Sequence, residues 1–437
     1  MKLSIPLLAV LAFAPCTSAA DWPQWMGPTR NGVWNEDGVL TRFPEGGPKK
    51  LWSMPIGGGY SGPAVADDRV FAMDFITEGS GVENNPNKRN EIKGIERIHC
   101  LDATTGKPLW KHEYPCHYSI SFPCGPRCTP TVEGDRVYTL GAMGHLCCLD
   151  AKSGKVVWSK DFVKDYSAPV PMWGFCGHPL IHDDLLICLV GGEGHLAVAF
   201  DKVTGKEVWK TLGGKESGYC PPSMIHVGDK SVLVLRCPKA IHALKPSTGE
   251  ALWLVPHAPR HGLSISAPQQ YKDTLFAGGG GTAVALKLAM GTGEKPTELW
   301  KASAAKGFSP SNATPLISDG TLYGCDSATG AFHAVELATG KRLWETRAPV
   351  TDKDESVMHG TAFAVRNGDR HFLFSETGHL IVAKLTPEKY EELDRAKLVE
   401  PTGEAFGRKV VWSHPAFADK KIFVRNDKEI AAFDLAK

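Results

Sequence analysis

The sequence predicts an all-β chain folded as an eight-bladed β-propeller with four-stranded antiparallel blades. Three observations carry this expectation. A segment of the form Asp-x-x-Thr-Gly-Lys-x-x-Trp recurs along the chain. Its interior copies are spaced 44 to 51 residues apart, the length of one four-stranded sheet with its turns. The two ends of the chain carry complementary fragments of one further unit.

The copies align without gaps. Residues 101–110, 149–158, 200–209, 244–253 and 335–344 each place a glycine four residues before a tryptophan: Gly106 with Trp110, Gly154 with Trp158, Gly205 with Trp209, Gly249 with Trp253 and Gly340 with Trp344. Looser copies end at Trp300 and Trp412, and a fragment, 47–52, ends at Trp52. In each unit a strand ends in an Asp-containing step, Thr-Gly turns the chain with glycine at positive φ, and the next strand carries the tryptophan. That ring is large enough to fill the gap between neighbouring sheets. Residues 430–437 have the strand ending but no tryptophan after it. The strand around Leu51 and Trp52 is therefore expected to complete the last blade and close the ring, leaving no open edge.

Within a unit the strands run A to D from the axis outward. In blade 2 they are expected near 128–132, 136–140, 145–149 and 156–158. The Thr-Gly turns share one face with the A–B turns, and the D–A connections and B–C turns share the other. The second face carries long segments: 76–96 as a B–C insertion in blade 1, then 111–127 and 161–173 as D–A connections. Residues 386–409 are expected to lengthen the C–D turn of blade 7 on the opposite face. There Thr386-Pro387 begins a short capped helix over 388–394.

Gly (46) and Pro (31) are abundant, as a turn-rich β chain requires. Lys plus Arg number 49 against 48 for Asp plus Glu, so bulk attraction to nucleic acid is not indicated. Residues 1–20 read as a secretory signal: Lys2, an apolar run over 5–14, and Ser18-Ala19-Ala20 before cleavage at Asp21. Cys16 follows Pro15, which departs from a lipoprotein signal. Residues 21–437 then form one exported propeller domain, periplasmic or extracellular, monomeric, without a transmembrane segment. Export to an oxidising space allows pairing among the eleven mature cysteines, and the odd number leaves at least one thiol over. No zinc or haem spacing is present.

The residues that begin the innermost strands face the axis. One candidate per blade is Ser61, Arg127, Cys176, Tyr219, Ser266, Asn312, His359 and His414, with Trp173, just before blade 3's inner strand, flooring or walling the mouth. Arg127, Trp173, Asn312, His359 and His414 are the candidate cofactor-binding residues at that mouth. The sequence assigns no catalytic residue and no metal ligand set.

The repeated motif, with the opening stretch Asp21-Trp-Pro-Gln-Trp-Met-Gly-Pro-Thr-Arg-Asn-Gly32, resembles the PQQ-like repeat propellers, and the resemblance covers essentially the whole mature chain. It implies one of two functions. Quinoprotein dehydrogenases hold pyrroloquinoline quinone and Ca²⁺ on the axis and oxidise alcohols or sugars. Propellers similar to the subunit of the outer-membrane β-barrel assembly machinery bind a protein partner through loops on one face. The Cys147-Cys148 pair is similar to the adjacent-cysteine disulfide of some quinoprotein dehydrogenases. It lies inside an expected strand, however, where neighbouring side chains point apart. Asp74, Glu193, Asp326 and Glu376 fall near B–C turns but form no recognisable Ca²⁺ set. The reading favoured is a non-catalytic binding or scaffold protein of the cell envelope using the D–A and B–C face. The alternative is a PQQ- and calcium-dependent dehydrogenase.

Overall fold

The computed structural model describes residues 21–79, 83–289, 291, 293–303, 308–310, 312–351 and 355–437; the expected leader 1–20 lies outside them. Eight four-stranded antiparallel sheets stand around one axis. Seven are continuous in sequence, spanning 64–120, 131–161, 180–211, 223–256, 269–303, 316–346 and 362–397. The eighth combines Ala416–Ala418, Lys421–Arg425 and Glu429–Asp434 with the N-terminal strand Lys50–Pro55, so both chain ends close the ring. Among the described residues, no helix is long and apolar enough to cross a membrane.

The repeat has a packing reason. Asp201 Oδ1 accepts from the backbone N–H and the hydroxyl of Thr204, both at 2.7 Å, and the Gly205 N–H closes the turn on Asp201 O at 2.8 Å. A bulge then sets Trp209 opposite Ala199. From there its indole N–H reaches the next blade and donates to Pro246 O at 2.9 Å. Trp52, Trp110, Trp158, Trp300 and Trp344 make the same bond to the following blade's C–D turn. The turn glycine of that blade lies flat on the same ring. A Cβ on Gly205 would sit 2.6 Å from Trp158 Cδ2, and Gly106, Gly154, Gly249 and Gly340 are placed alike on the preceding blades' tryptophans. The two halves of the motif thus meet across blade boundaries.

Three expectations need correction. Blade 1 carries its B–C insertion on lengthened strands, with 78–79 and 83–89 the described residues of 76–96 that are not strand. Its strands Arg69–Thr77, Asn90–Asp102 and Pro108–Ile120 run on past the ring and pair as far as Asn90 with Ile120. Much of 76–96 and of 111–127 is therefore strand. Second, 388–394 is not helical: Tyr390–Lys397 is the D strand of blade 7, and pairing with His379–Leu385 overrides local helix preference. Third, Trp412 is not that blade's D-strand tryptophan. Asp394 occupies the equivalent register opposite Val382, and its Oδ2 accepts the Phe43 N–H at 2.6 Å from the N-terminal segment covering this blade. The added chain, with its hairpin Gly403–Ala405 and Arg408–Val410, belongs to the D–A connection and lies on the same face as the other long loops.

Residues 21–39 form an element that the repeat does not announce. They run along the inner edges of the A strands. Trp22 bridges Val65 in blade 1, Pro23 O accepts from Val132 in blade 2, and Val33 bridges Arg366 in blade 7. Trp34 packs against Phe372 and Phe417. This segment plugs the axis from the A–B turn side.

Candidate functional site

Above the plug, on the D–A and B–C face, lies a cavity of about 790 Å³. Its walls are the residues that lead into the A strands, and Trp25 of the plug forms its floor. Trp25 is fixed from three sides. Its ring stacks on His178 at 5.1 Å, its indole N–H donates to His414 Nε2 at 3.1 Å, and Arg30 lies over it at 5.3 Å. Among the described residues Arg30 has no carboxylate partner. It donates to the main-chain oxygens of Pro179, His178 and Pro222 and to Gln24, bolting the plug to blades 3 and 4. Burial lowers its pKa to about 10.

All five proposed mouth residues, Arg127, Trp173, Asn312, His359 and His414, line this cavity, as do Cys176 and Tyr219. Ser61 and Ser266 do not. Each stands three residues before its A strand and turns into its own blade, donating to Met73 O and Gly278 O. His359, at the same offset, reaches the cavity because its φ of +56° turns the chain.

The chemistry of the wall is aromatic and nearly uncharged. Arg127 lies over Tyr60, and its guanidinium is engaged by the carbonyls of Trp173, Gly125, Ser121 and Phe122, so it braces loops rather than waiting for an anion. Trp173 meets Tyr219 edge to face at 5.3 Å. His359 stacks on Phe406, and Phe406 and Trp412 lie near Phe122. Burial holds His178 well below the ordinary histidine range and lowers His414 to about 3, so both are neutral at pH 7. Burial raises the Cys176 thiol to about 11.

These residues do not fit a quinone acid with calcium. Ca²⁺ takes about six to eight oxygen ligands, mostly carboxylates; among the described lining residues Glu216 is the carboxylate and Asn87 and Asn312 are the amides. The acids nearer the B–C turns are engaged elsewhere. For Asp74, burial works upward, but Arg97, His99 and the Gly57 N–H outweigh it and hold the carboxyl well below the usual range. Glu376 accepts from Arg408, from the indole of Trp412 and from Thr361 N–H. Asp326 accepts from Ser309, Ala328 and Thr329. The eleven described mature cysteines are all free. Cys147 packs toward blade 1 and Cys148 toward blade 3, on opposite faces of one strand.

Sequence reasoning missed Trp25, His178, Phe122, Phe406 and Trp412 as wall residues. A signal for one was available. Trp22, Trp25 and Trp34 fall outside the repeat register, and tryptophans that do not serve a blade need another place to pack.

A profile of the family described as outer membrane protein assembly factor BamB, with PQQ-like repeats, matches residues 94–346. No curated protein matches the chain. Among solved structures, BamB from Moraxella catarrhalis superposes with a TM-score of 0.55 at 15% identity, covering 88% of this chain and 97% of that one. Quinohemoprotein alcohol dehydrogenase from Comamonas testosteroni gives 0.61 at 13% identity, with 95% and 81% covered. The ADHIIG enzyme of the same kind from Pseudomonas putida HK5 gives 0.59 at 13%, with 95% and 80% covered. These likenesses are of fold. The matched profile covers more than half of the sequence, from the C strand of blade 1 to the D strand of blade 6, and the chain belongs to the PQQ-like propeller family of outer membrane protein assembly factor BamB.

Proposed function

We propose that the protein is a non-catalytic binding protein of the cell envelope that captures a protein partner on its D–A and B–C face, seating an apolar segment of that partner in the aromatic cavity. The observation that carries this reading is the rim. Met358 and Phe406 line the cavity yet stay 54% and 38% exposed. Exposed large apolar groups around a concave, uncharged site suit a partner's side chains. The plug and the bracing of Arg127 make the site largely preformed, which lowers the ordering cost of binding. The family description supports an envelope role, and an exported monomer fits it.

The dehydrogenase reading is weakened by the donor set: among the described wall residues there is one carboxylate, Glu216, the guanidinium of Arg127 is engaged by carbonyls, and Asp74, Asp326 and Glu376 are tied into other networks. Two measurements test the choice. Titration of mature protein with pyrroloquinoline quinone and Ca²⁺ should leave tryptophan fluorescence without a saturable change. Met358→Glu with Phe406→Glu should abolish retention of envelope protein by the immobilised propeller at unchanged melting temperature. Saturable quenching that Trp173→Ala removes would replace this reading with the dehydrogenase.

A further inference from the structure

Away from the cavity wall, at the boundary of blades 1 and 2, three side chains of different chemistry converge. Glu96 comes from the C strand of blade 1, Cys116 from its D strand and His145 from the start of the C strand of blade 2. A carboxylate oxygen, the thiol sulfur and an imidazole nitrogen all lie within 4.8 Å of one another. Cys116 Sγ is 3.9 Å from His145 Nδ1. A tetrahedral zinc ion, about 2.3 Å from sulfur and about 2.0 Å from nitrogen, sets those two atoms about 3.6 Å apart. This pair therefore needs a closure of a few tenths of an ångström to share one ion, and the Glu96 oxygen, within 4.8 Å of both atoms, must close on it as well.

The surroundings are those of a held ligand set. Glu96 is fully buried, and among the described residues no cationic side chain forms an ion pair with it. Its Oε1 accepts from the Tyr118 hydroxyl and from Ala142 N–H at 2.9 Å, and its Oε2 from the Tyr114 hydroxyl at 2.5 Å. A carboxylate has about four acceptor sites, so one is left, on Oε2. A buried carboxylate with an acceptor site left open and only neutral donors around it has room for a cation. His145 points its other nitrogen, Nε2, at Asp161 Oδ2, 3.7 Å away. A carboxylate on the Nε2 side is the arrangement found behind metal-bound histidines, and it leaves Nδ1 on the side of Cys116. Asp161 is itself fixed by the N–H groups of Val163 and Lys164 at the start of helix Phe162–Tyr166.

We propose that Glu96, Cys116 and His145 bind one zinc ion that staples the projecting strands of blade 1 to blade 2. The mixed oxygen, sulfur and nitrogen donors at tetrahedral spacing suit Zn²⁺ among common divalent ions. The thiol gives up its proton to solvent as the sulfur–zinc bond forms, and water completes the coordination. The site is independent of what the cavity holds.

The test uses metal-stripped mature protein titrated with Co²⁺ and then Zn²⁺. Cobalt should bind at one equivalent with a near-ultraviolet thiolate charge-transfer band and tetrahedral visible bands, and zinc should displace it. Cys116→Ser should remove the charge-transfer band and weaken binding at least about 100-fold, while Cys124→Ser keeps both. Tyr114→Phe should weaken binding about 10- to 100-fold, the usual effect of losing a group that holds a ligand. His145→Gln removes a half-buried ligand and provides the test should the serine variant not fold; it should also abolish the rise in melting temperature that Zn²⁺ gives the parent. A parent protein without the thiolate band at one equivalent, or a His145→Gln variant with unchanged affinity, overturns the proposal.

Discussion

Gly205→Ala probes the contact that makes this chain a ring rather than a row of sheets. Gly205 turns the C–D corner of blade 3 with φ +70°, and an added Cβ would meet Trp158 Cδ2 at 2.6 Å and Cε3 at 2.8 Å. Neither side can yield cheaply. The indole is tethered by its bond to Lys202 O at 3.1 Å and lies against Tyr138 and Phe200. The turn is closed by the Gly205 N–H on Asp201 O at 2.8 Å. The left-handed backbone costs an alanine about 1–2 kcal/mol, and overpacking adds about 1–3 kcal/mol. The expected loss is therefore about 2–5 kcal/mol in urea unfolding followed by circular dichroism. Gly134→Ala isolates the backbone part. Gly134 sits in the A–B turn of blade 2 at φ +55°, where an added Cβ meets nothing within 4 Å, so about 1–2 kcal/mol is expected there. In a Trp158→Ala background the packing part should vanish, giving a coupling energy of about 1–3 kcal/mol. Equal losses for the two glycines, or an additive cycle, would show that the glycine is needed for its turn alone.

Other perturbations follow from the same structure. Trp209→Ala should cost about 3–5 kcal/mol, as large buried aromatics do, and a loss under about 1 kcal/mol would remove it from the core between blades. Deleting 21–55 should prevent soluble folding because it takes away both plug and closing strand; a truncated protein melting at the parent temperature would refute that. Acid should loosen the plug. His414 is depressed to about 3 by burial, so the unfolded chain binds the extra proton first. Stability is then complete above the unfolded value near 6.5 and falls as pH drops toward 3, by at most about 1.4 kcal/mol per pH unit for this residue. His414→Gln should flatten that part of the pH profile, and an unchanged slope would place the acid sensitivity elsewhere.

The ring was legible because its signal is local and repeated. Thr-Gly and Trp recur four residues apart, and each pair serves the same bond in successive blades. The closing strand was legible too, since Trp52 and Phe433 are halves of one unit. Blade 7 misled because Asp394 replaces the tryptophan that marks a D strand, and Trp412 lies beyond it in sequence to supply a false landmark. Arg127, Asn312, His359 and His414 were reached by aligning the repeats and Trp173 by its place ahead of blade 3's inner strand, whereas Ser61 and Ser266, aligned the same way, turn into their own blades to donate to Met73 O and Gly278 O. The floor could not be read from the repeat at all. Trp25 meets His178 and His414 across 153 and 389 residues of chain, respectively, and no periodicity encodes that meeting.

The plug changes what the cavity can be. An open propeller channel is a polar passage with two mouths, and a ligand there faces water on both sides. Here Arg30 is held by main-chain oxygens of three residues at the starts of blades 3 and 4. The same segment continues to Trp34 between Phe372 and Phe417 of blades 7 and 8. One stretch of about twenty residues therefore ties opposite sides of the ring together and seals one mouth. Seating Trp25 as the floor requires neutral His178 and His414, because a proton on His414 Nε2 would remove the acceptor of the indole N–H. The apolar character of the site is thus a consequence of how the ring is braced. Arg127 already serves that bracing, whereas an apolar segment of a partner needs only the aromatic surface that the bracing leaves exposed.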